Sequence, residues 1–120
     1  MNTAGIIVIA EDDQKLLQSL EMILYSAGYT VYPMPNGECA LRKIISLRDE
    51  GKNVDLLIAD IEMPVMNGIE LIDSLNNLNI NIPMLAITGL TDKEMAATMV
   101  AKGCRMCLEK PFTKNELLYH

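Results

Sequence analysis

Short apolar runs alternate along this chain with stretches in which apolar residues recur every three or four positions. The strand-like segments that contain these runs are residues 6–10, 30–32, 56–59, 84–87 and 105–108, of which the second begins with Thr30 and the last with Arg105. Short runs of this kind predict strands, and the periodic stretches between them predict amphipathic helices. The alternation therefore predicts a doubly wound α/β fold, in which a parallel sheet has helices on both of its faces.

The ends of the predicted helices carry recognisable signals. Gly28 follows the first helical stretch and Gly103 follows the fourth, where a residue in the left-handed conformation commonly ends a helix. Residues 91–94 and 113–116 both have the capping-box pattern Thr-x-x-Glu, which marks the start of a helix. The helix after the second box extends only to His120, so we expect the final helix to be truncated.

Length, apolar content and charge exclude several classes of protein. The chain has 120 residues, enough for one domain over residues 1–120 with a single core. Its longest apolar run is about five residues, against the roughly 20 needed to cross a bilayer, and no signal-peptide pattern opens it. We therefore expect a soluble cytoplasmic domain with no membrane contact. The formal net charge is −6 and the basic residues are scattered, so direct nucleic-acid binding by this domain is not expected.

The cysteines and the histidine further limit the chemistry. An odd number of cysteines without a signal peptide indicates thiols in a reducing compartment. Cys104 and Cys107 have a C-x-x-C spacing, but residues three apart on a strand point to opposite faces, and we interpret both as packing residues. The only histidine is His120, so any histidine that the protein works with belongs to a partner.

Charged and polar side chains stand where the predicted strands end. Glu11 and Asp12 follow the first run, Asp60 follows the third, and Thr88 and Lys110 follow the fourth and fifth. Because the carboxyl ends of parallel strands meet at one rim, where ligands of such folds bind, we expect these side chains in one pocket. If the first and third strands are neighbours, the three carboxylates lie about 4.8 Å apart. Each pair then repels by roughly 3 kcal/mol at an effective dielectric constant near 20.

Such an acidic cluster requires a cation, and a few oxygen ligands favour Mg²⁺. Three carboxylates, one divalent ion and Lys110 sum to zero charge, so Asp60 can attack a phosphoryl group and form an aspartyl-phosphate. The metal and Lys110 would stabilise the phosphoryl oxygens, and Thr88 could donate a hydrogen bond to one of them. Asp13 fits a helix N-cap or an acid in the first helical turn better than a metal ligand. Asp60, Thr88 or Lys110 alone would be an ordinary turn or loop residue, so only their combination indicates a site.

At these positions the chain closely resembles the receiver domain of two-component response regulators. The matching segments are VIAEDD (8–13), DIEMPVMNG (60–68), ITG (87–89) and KPF (110–112). The resemblance implies a flavodoxin-like (βα)5 sandwich with a five-stranded parallel sheet in the order 2-1-3-4-5. It also implies a signalling switch rather than an enzyme, with chemistry limited to self-phosphotransfer and autodephosphorylation.

The resemblance implies a role for each site residue. These roles are phosphoacceptor for Asp60, Mg²⁺ ligands for Glu11, Asp12, Asp60 and the Glu62 backbone carbonyl, switch hydroxyl for Thr88 and phosphoryl-binding lysine for Lys110. The implied donor is a phosphohistidine on a sensor histidine kinase or a histidine phosphotransfer protein. The implied output is a population shift of the face built from the fourth helix, fifth strand and fifth helix, read by an effector domain or a homodimer.

Three departures from the family pattern bear on this interpretation. Glu11 stands where aspartate is commoner, a change that should preserve metal binding. Cys107 stands where the family usually has an aromatic switch residue, which puts the coupling to Thr88 in doubt. The short final helix weakens any expectation of a dimer through that face.

Two other functions fit part of the pattern. A pseudo-receiver would bind partners without phosphorylation, and Cys107 agrees with altered signalling of that kind. A haloacid-dehalogenase-like phosphatase would also use Asp60, Mg²⁺ and a lysine, but it needs a second aspartate where this chain has Glu62.

Overall fold

The computed structural model describes residues 5–63, 65–88, 93–104 and 106–109. Five strands alternate with four helices in these residues, which confirms the βα pattern. The elements are β1 Ile6–Ala10, α1 Gln14–Ser26, β2 Thr30–Met34, α2 Gly37–Asp49, β3 Leu56–Asp60, α3 Gly68–Asn77, β4 Met84–Thr88, α4 Lys93–Ala101 and β5 Met106–Glu109. The Thr91 capping box, the truncated final helix and Lys110 are predictions that lie outside the described residues.

The strands form one parallel sheet in the order β2-β1-β3-β4-β5, as predicted. β1 lies between β2 and β3, and its last residue, Ala10, is opposite Ala59. Successive strands are added to the sheet in opposite directions from β1, because β2 lies on one side of the β1–β3 pair and β4 lies on the other. That pair is the topological switch point, outside which ligands bind in folds of this type.

Side chains alternate between two apolar clusters, one on each face of the sheet. The cluster on the α1 side contains Ile7, Ile9, Leu20, Leu24, Ile58, Leu85 and Ile87. The larger cluster, on the side of α2, α3 and α4, includes Val8, Ala10, Ala40, Ile44, Leu57, Ala59, Leu71, Leu75 and Met99. Helices thus cover both faces of the sheet in the described residues, which leaves the strand ends at the switch point open to a ligand.

Local signals place the helix ends where the sequence indicates. Asp13 is the N-cap of α1, and its side chain accepts hydrogen bonds from the backbone N–H groups of Lys15 and Leu16, which confirms the prediction for this residue. Gly28 has φ 101 and Gly103 has φ 107, in the left-handed region that favours glycine after a helix. The described residues contain no helix long and apolar enough to span a bilayer.

Four strands differ in extent from the prediction, and two of these, β3 and β4, extend only one residue further, to Asp60 and Thr88. β2 runs to Met34, two residues further, because Pro33 is tolerated in an edge strand that pairs only with β1. β5 covers Met106–Glu109, so its end is one residue later than predicted. Cys104 precedes β5 and is buried, with its Sγ 3.2 Å from the carbonyl oxygen of Met84, which confirms it as a packing residue.

Candidate functional site

Three carboxylates meet at the rim of the sheet where β1 and β3 end. Glu11 and Asp12 directly follow β1, and Asp60 is the last residue of β3. One carboxylate oxygen from each residue lies within 4.8 Å of the other two. Because Ala10 and Ala59 are opposite each other, the next residues, Glu11 and Asp60, take equivalent places on adjacent strands. Parallel pairing therefore brings together acids that are far apart in the sequence.

Two of these carboxylates are buried. Glu11 is 0% exposed and Asp60 is 5% exposed, whereas Asp12 is exposed to solvent. Burial of a charged carboxylate is costly, and like charges at this separation repel by roughly 3 kcal/mol per pair at an effective dielectric constant near 20. The cluster therefore has the charge and the oxygen donors that attract a hard divalent cation.

Backbone hydrogen bonds orient both buried carboxylates. The Asp13 N–H group donates to Glu11 Oε2 at 3.0 Å, and the Glu62 N–H group donates to Asp60 Oδ1 at 3.1 Å. Each carboxylate thus accepts from the residue two positions later in the sequence. Hydrogen bonds to an ionised acceptor are the strong ones, so these contacts limit rotation of the carboxylates.

The loop from β3 to α3 is packed tightly against the site. The Gly68 N–H group donates to the carbonyl oxygen of Ile61 at 2.8 Å, which closes the loop on itself. A Cβ on Gly68 would lie 2.9 Å from the backbone oxygen of Asp60, so a side chain has no room there. Gly68 is the first residue of α3.

The capping of α3 was not predicted. Asn67 is the N-cap, and its side chain accepts from the Glu70 N–H group at 2.8 Å while the Asn67 N–H group donates to the Glu70 side chain at 3.0 Å. The signal is present in the sequence as Asn-x-x-Glu, a variant of the capping box that sets the start of the helix. The box anchors the end of the loop that begins at Asp60.

The same loop contacts the start of α2 and contains an unusual valine. A Cβ on Gly37, the first residue of α2, would lie 2.5 Å from the backbone oxygen of Met66, so the two backbones are in close contact. The residue before Met66, Val65, has φ 70 and is 72% exposed. No signal in the sequence predicts this, because β-branched residues strongly disfavour the left-handed region.

Of the remaining predicted site residues, the structure describes Thr88 and Glu62 but not Lys110. Thr88 is the last residue of β4 and directly follows Ile87, which is opposite Asp60, so its backbone lies at the same rim. Glu62 is exposed and lies two residues after Asp60. Lys110 lies outside the described residues.

Comparison with known proteins identifies the family. Residues 7–120 match the response regulator receiver domain. The chain is 34% identical over 110 residues to the transcriptional regulatory protein FixJ of Rhizobium meliloti, a match that covers 92% of the chain and 52% of FixJ. It is 30% identical over 114 residues to the cell cycle transcriptional regulator CtrA of Caulobacter vibrioides, covering 93% of the chain and 46% of CtrA.

Solved structures agree with these sequence matches. The crystal structure of FixJ-N superposes with a TM-score of 0.85 at 30% identity, covering 98% of the chain and 90% of FixJ-N. The chemotaxis protein CheY4 of Vibrio cholerae superposes with a TM-score of 0.83 at 28% identity, covering 96% of the chain and 93% of CheY4.

The sheet order and the acidic rim at its switch point define a flavodoxin-like α/β domain. Within that class, the chain belongs to the receiver domain family of two-component response regulators. It is therefore a signalling domain that works through phosphorylation, and not an enzyme in the classical sense. The chain spans about half the length of the curated relatives it matches.

Proposed function

We propose that the chain is a switch that accepts a phosphoryl group on Asp60 from the phosphohistidine of a sensor histidine kinase or a histidine phosphotransfer protein, in a reaction that requires Mg²⁺. One observation carries the proposal: the buried carboxylate of Asp60 lies with those of Glu11 and Asp12 within 4.8 Å, at the switch point of the sheet. The structural likeness to FixJ-N and CheY4 supports it.

The residues at this rim fit a magnesium ion. The carboxylates of Glu11, Asp12 and Asp60, with the backbone carbonyl of Glu62, would hold it, directly or through coordinated water. All four donors are hard oxygen ligands, and the three carboxylates are close enough to share one ion. When bound, Mg²⁺ supplies positive charge that offsets the repulsion among the carboxylates and the negative charge of the incoming phosphoryl group.

Asp60 performs the covalent step. One of its carboxylate oxygens attacks the phosphorus atom and forms a P–O bond, while the P–N bond to the donor imidazole breaks. The imidazole nitrogen keeps the electron pair of that bond and is protonated by solvent. The hydrogen bond from the Glu62 N–H group to Oδ1 orients the carboxylate before the attack. Attack of water on the phosphorus of the resulting aspartyl-phosphate would later return the domain to its starting state.

Thr88 and Lys110 complete the proposed site. Thr88 is opposite Glu109, the last residue of β5, and Lys110 is the next residue in the sequence. Strand order therefore favours a place for both at the rim that holds Asp60. A hydroxyl group and an ammonium group there would bind phosphoryl oxygens. A change in the conformation of α4 and β5 on phosphorylation would be the output. An effector domain, or a second copy of this single domain over residues 1–120, would bind the changed surface.

The direct test uses a small phosphodonor. The full chain is incubated with acetyl phosphate with and without Mg²⁺, and the intact mass is followed over time. We expect a single added phosphate that depends on Mg²⁺ and is absent in Asp60→Asn. Asp49→Asn, a matched change at the exposed end of α2, should incorporate phosphate like the unsubstituted chain.

Other outcomes distinguish the alternatives. Binding of Mg²⁺ without phosphate incorporation would contradict the switch and favour a binding module that works without phosphorylation. Repeated turnover of small phosphate esters, abolished by Asp60→Asn, would instead indicate a phosphatase.

A further inference from the structure

Val65, in the loop that joins β3 to α3, has two unfavourable properties. Its φ of 70 lies in the left-handed region, where the branched Cβ of valine clashes with the backbone. Its side chain is also 72% exposed, so the isopropyl group gains little from burial. Neither the local conformation nor packing among the described residues favours a valine here.

A different type of residue has positive φ elsewhere in the described ranges. Asn79 is the only other non-glycine residue with positive φ in the described ranges, and asparagine tolerates this region because its short polar side chain bonds locally. Asn79 follows α3, at the end of that helix away from the acidic rim. The chain thus has a tolerant residue far from the site and an intolerant one beside it, a pattern that points to function.

Backbone contacts fix the residues that follow Val65. Met66, the next residue, has its backbone against Gly37 of α2, and Asn67 is fixed by the capping box with Glu70. The bond from Gly68 to the Ile61 carbonyl closes the base of the loop. An exposed apolar side chain next to backbone fixed in this way loses less conformational entropy when a partner covers it.

We propose that Val65 is a contact residue for the protein that donates the phosphoryl group, and that its isopropyl group packs into an apolar hollow beside the phosphohistidine. The inference rests on the proposed phosphorylation of Asp60. Because Asp60 is only 5% exposed, a phosphohistidine must reach into the pocket, and the donor surface around it would then lie against the loop that follows Asp60. A small phosphodonor reaches Asp60 without touching Val65.

The experiment compares two phosphodonors on the full chain. Phosphorylated cytoplasmic fragments of the histidine kinases encoded in the same genome are screened for the one that transfers fastest to the unsubstituted chain, and acetyl phosphate is the second donor. Val65→Asn removes the apolar group and suits the left-handed conformation, so its melting temperature should rise by a few degrees. Val65→Ile retains a branched apolar side chain. Leu78→Asn makes the same type of change at an exposed apolar residue at the far end of α3.

We expect Val65→Asn to lower the rate of transfer from the kinase about tenfold at limiting concentration, because a side chain that becomes buried in the complex is now polar. Labelling by acetyl phosphate should not change, Val65→Ile should restore most of the kinase rate, and Leu78→Asn should match the unsubstituted chain. Equal kinase rates for Val65→Asn and the unsubstituted chain would overturn the proposal. Slower labelling from both donors would also overturn it, since Val65 would then act through the shape of the site.

Two further outcomes separate this inference from the proposed function. If acetyl phosphate labels the chain but no phosphorylated histidine kinase or histidine phosphotransfer protein of the same genome does, no protein donor docks on this loop and the inference about Val65 fails alone. If neither donor labels the unsubstituted chain, the proposed phosphorylation of Asp60 itself fails.

Discussion

Gly68 offers a test of the packing around Asp60 by addition of one methyl group. In Gly68→Ala the new Cβ would lie 2.9 Å from the backbone oxygen of Asp60 and 2.9 Å from Cα of Ile61. Both are backbone atoms at the end of a central strand and cannot rotate away, so overpacking should cost about 1–3 kcal/mol. Without that clash, alanine in the first turn of α3 would stabilise the protein by about 0.5–1 kcal/mol. Whether Gly68→Ala lowers or raises the free energy of unfolding therefore shows whether the steric clash outweighs the helix propensity of alanine.

We expect the free energy of unfolding of Gly68→Ala, measured by urea denaturation, to fall by about 1 kcal/mol, the difference between the midpoints of these two ranges. The control is Asn77→Ala, at the exposed last residue of the same helix, which should gain a few tenths of a kcal/mol. Labelling of Gly68→Ala by acetyl phosphate should also slow, since relief of the clash displaces the backbone of Asp60. A Gly68→Ala variant as stable as the unsubstituted chain, or more stable, would refute the steric argument.

The charges in the structure support three further predictions. Glu11→Gln removes a buried charge beside Asp60 but retains an oxygen acceptor. In EDTA, the free energy of unfolding measured in urea should therefore rise by about 1 kcal/mol. A loss of stability would argue against repulsion among the carboxylates. Mg²⁺ at about 100 times its dissociation constant should stabilise the unsubstituted chain by about 2.7 kcal/mol, and Glu11→Gln by less. Equal urea midpoints with and without the ion would contradict a metal site. Asp73→Asn breaks a 2.7 Å ion pair with Lys102 that is partly exposed, so it should cost at most about 1 kcal/mol. That cost should largely disappear in roughly 1 M salt, and a loss that persists there would show a packing role instead.

Much of the fold and of the site follows from the order of residues along the chain. Strands and helices have different apolar periods, so the alternation along the chain predicts the βα order. The common rim of a parallel sheet then predicts that Glu11, Asp12 and Asp60 meet, and the structure brings them within 4.8 Å. The N-cap at Asp13 and the left-handed Gly28 are predictable because they depend only on neighbouring residues.

Contacts between distant segments cannot be predicted in the same way. The register that sets Ala10 opposite Ala59 depends on how whole strands pair, and the sequence shows only that both are apolar. The lack of space at Gly68 and Gly37 arises where a loop meets another backbone, which no local pattern records. The conformation of Val65 opposes its own intrinsic preference and exists because the packed residues that follow it, Met66 and the capped start of α3, impose it. Local periodicity and turn chemistry thus determine which elements form and which residues lie at the rim, whereas distances, burial and strain are decided only when those elements pack.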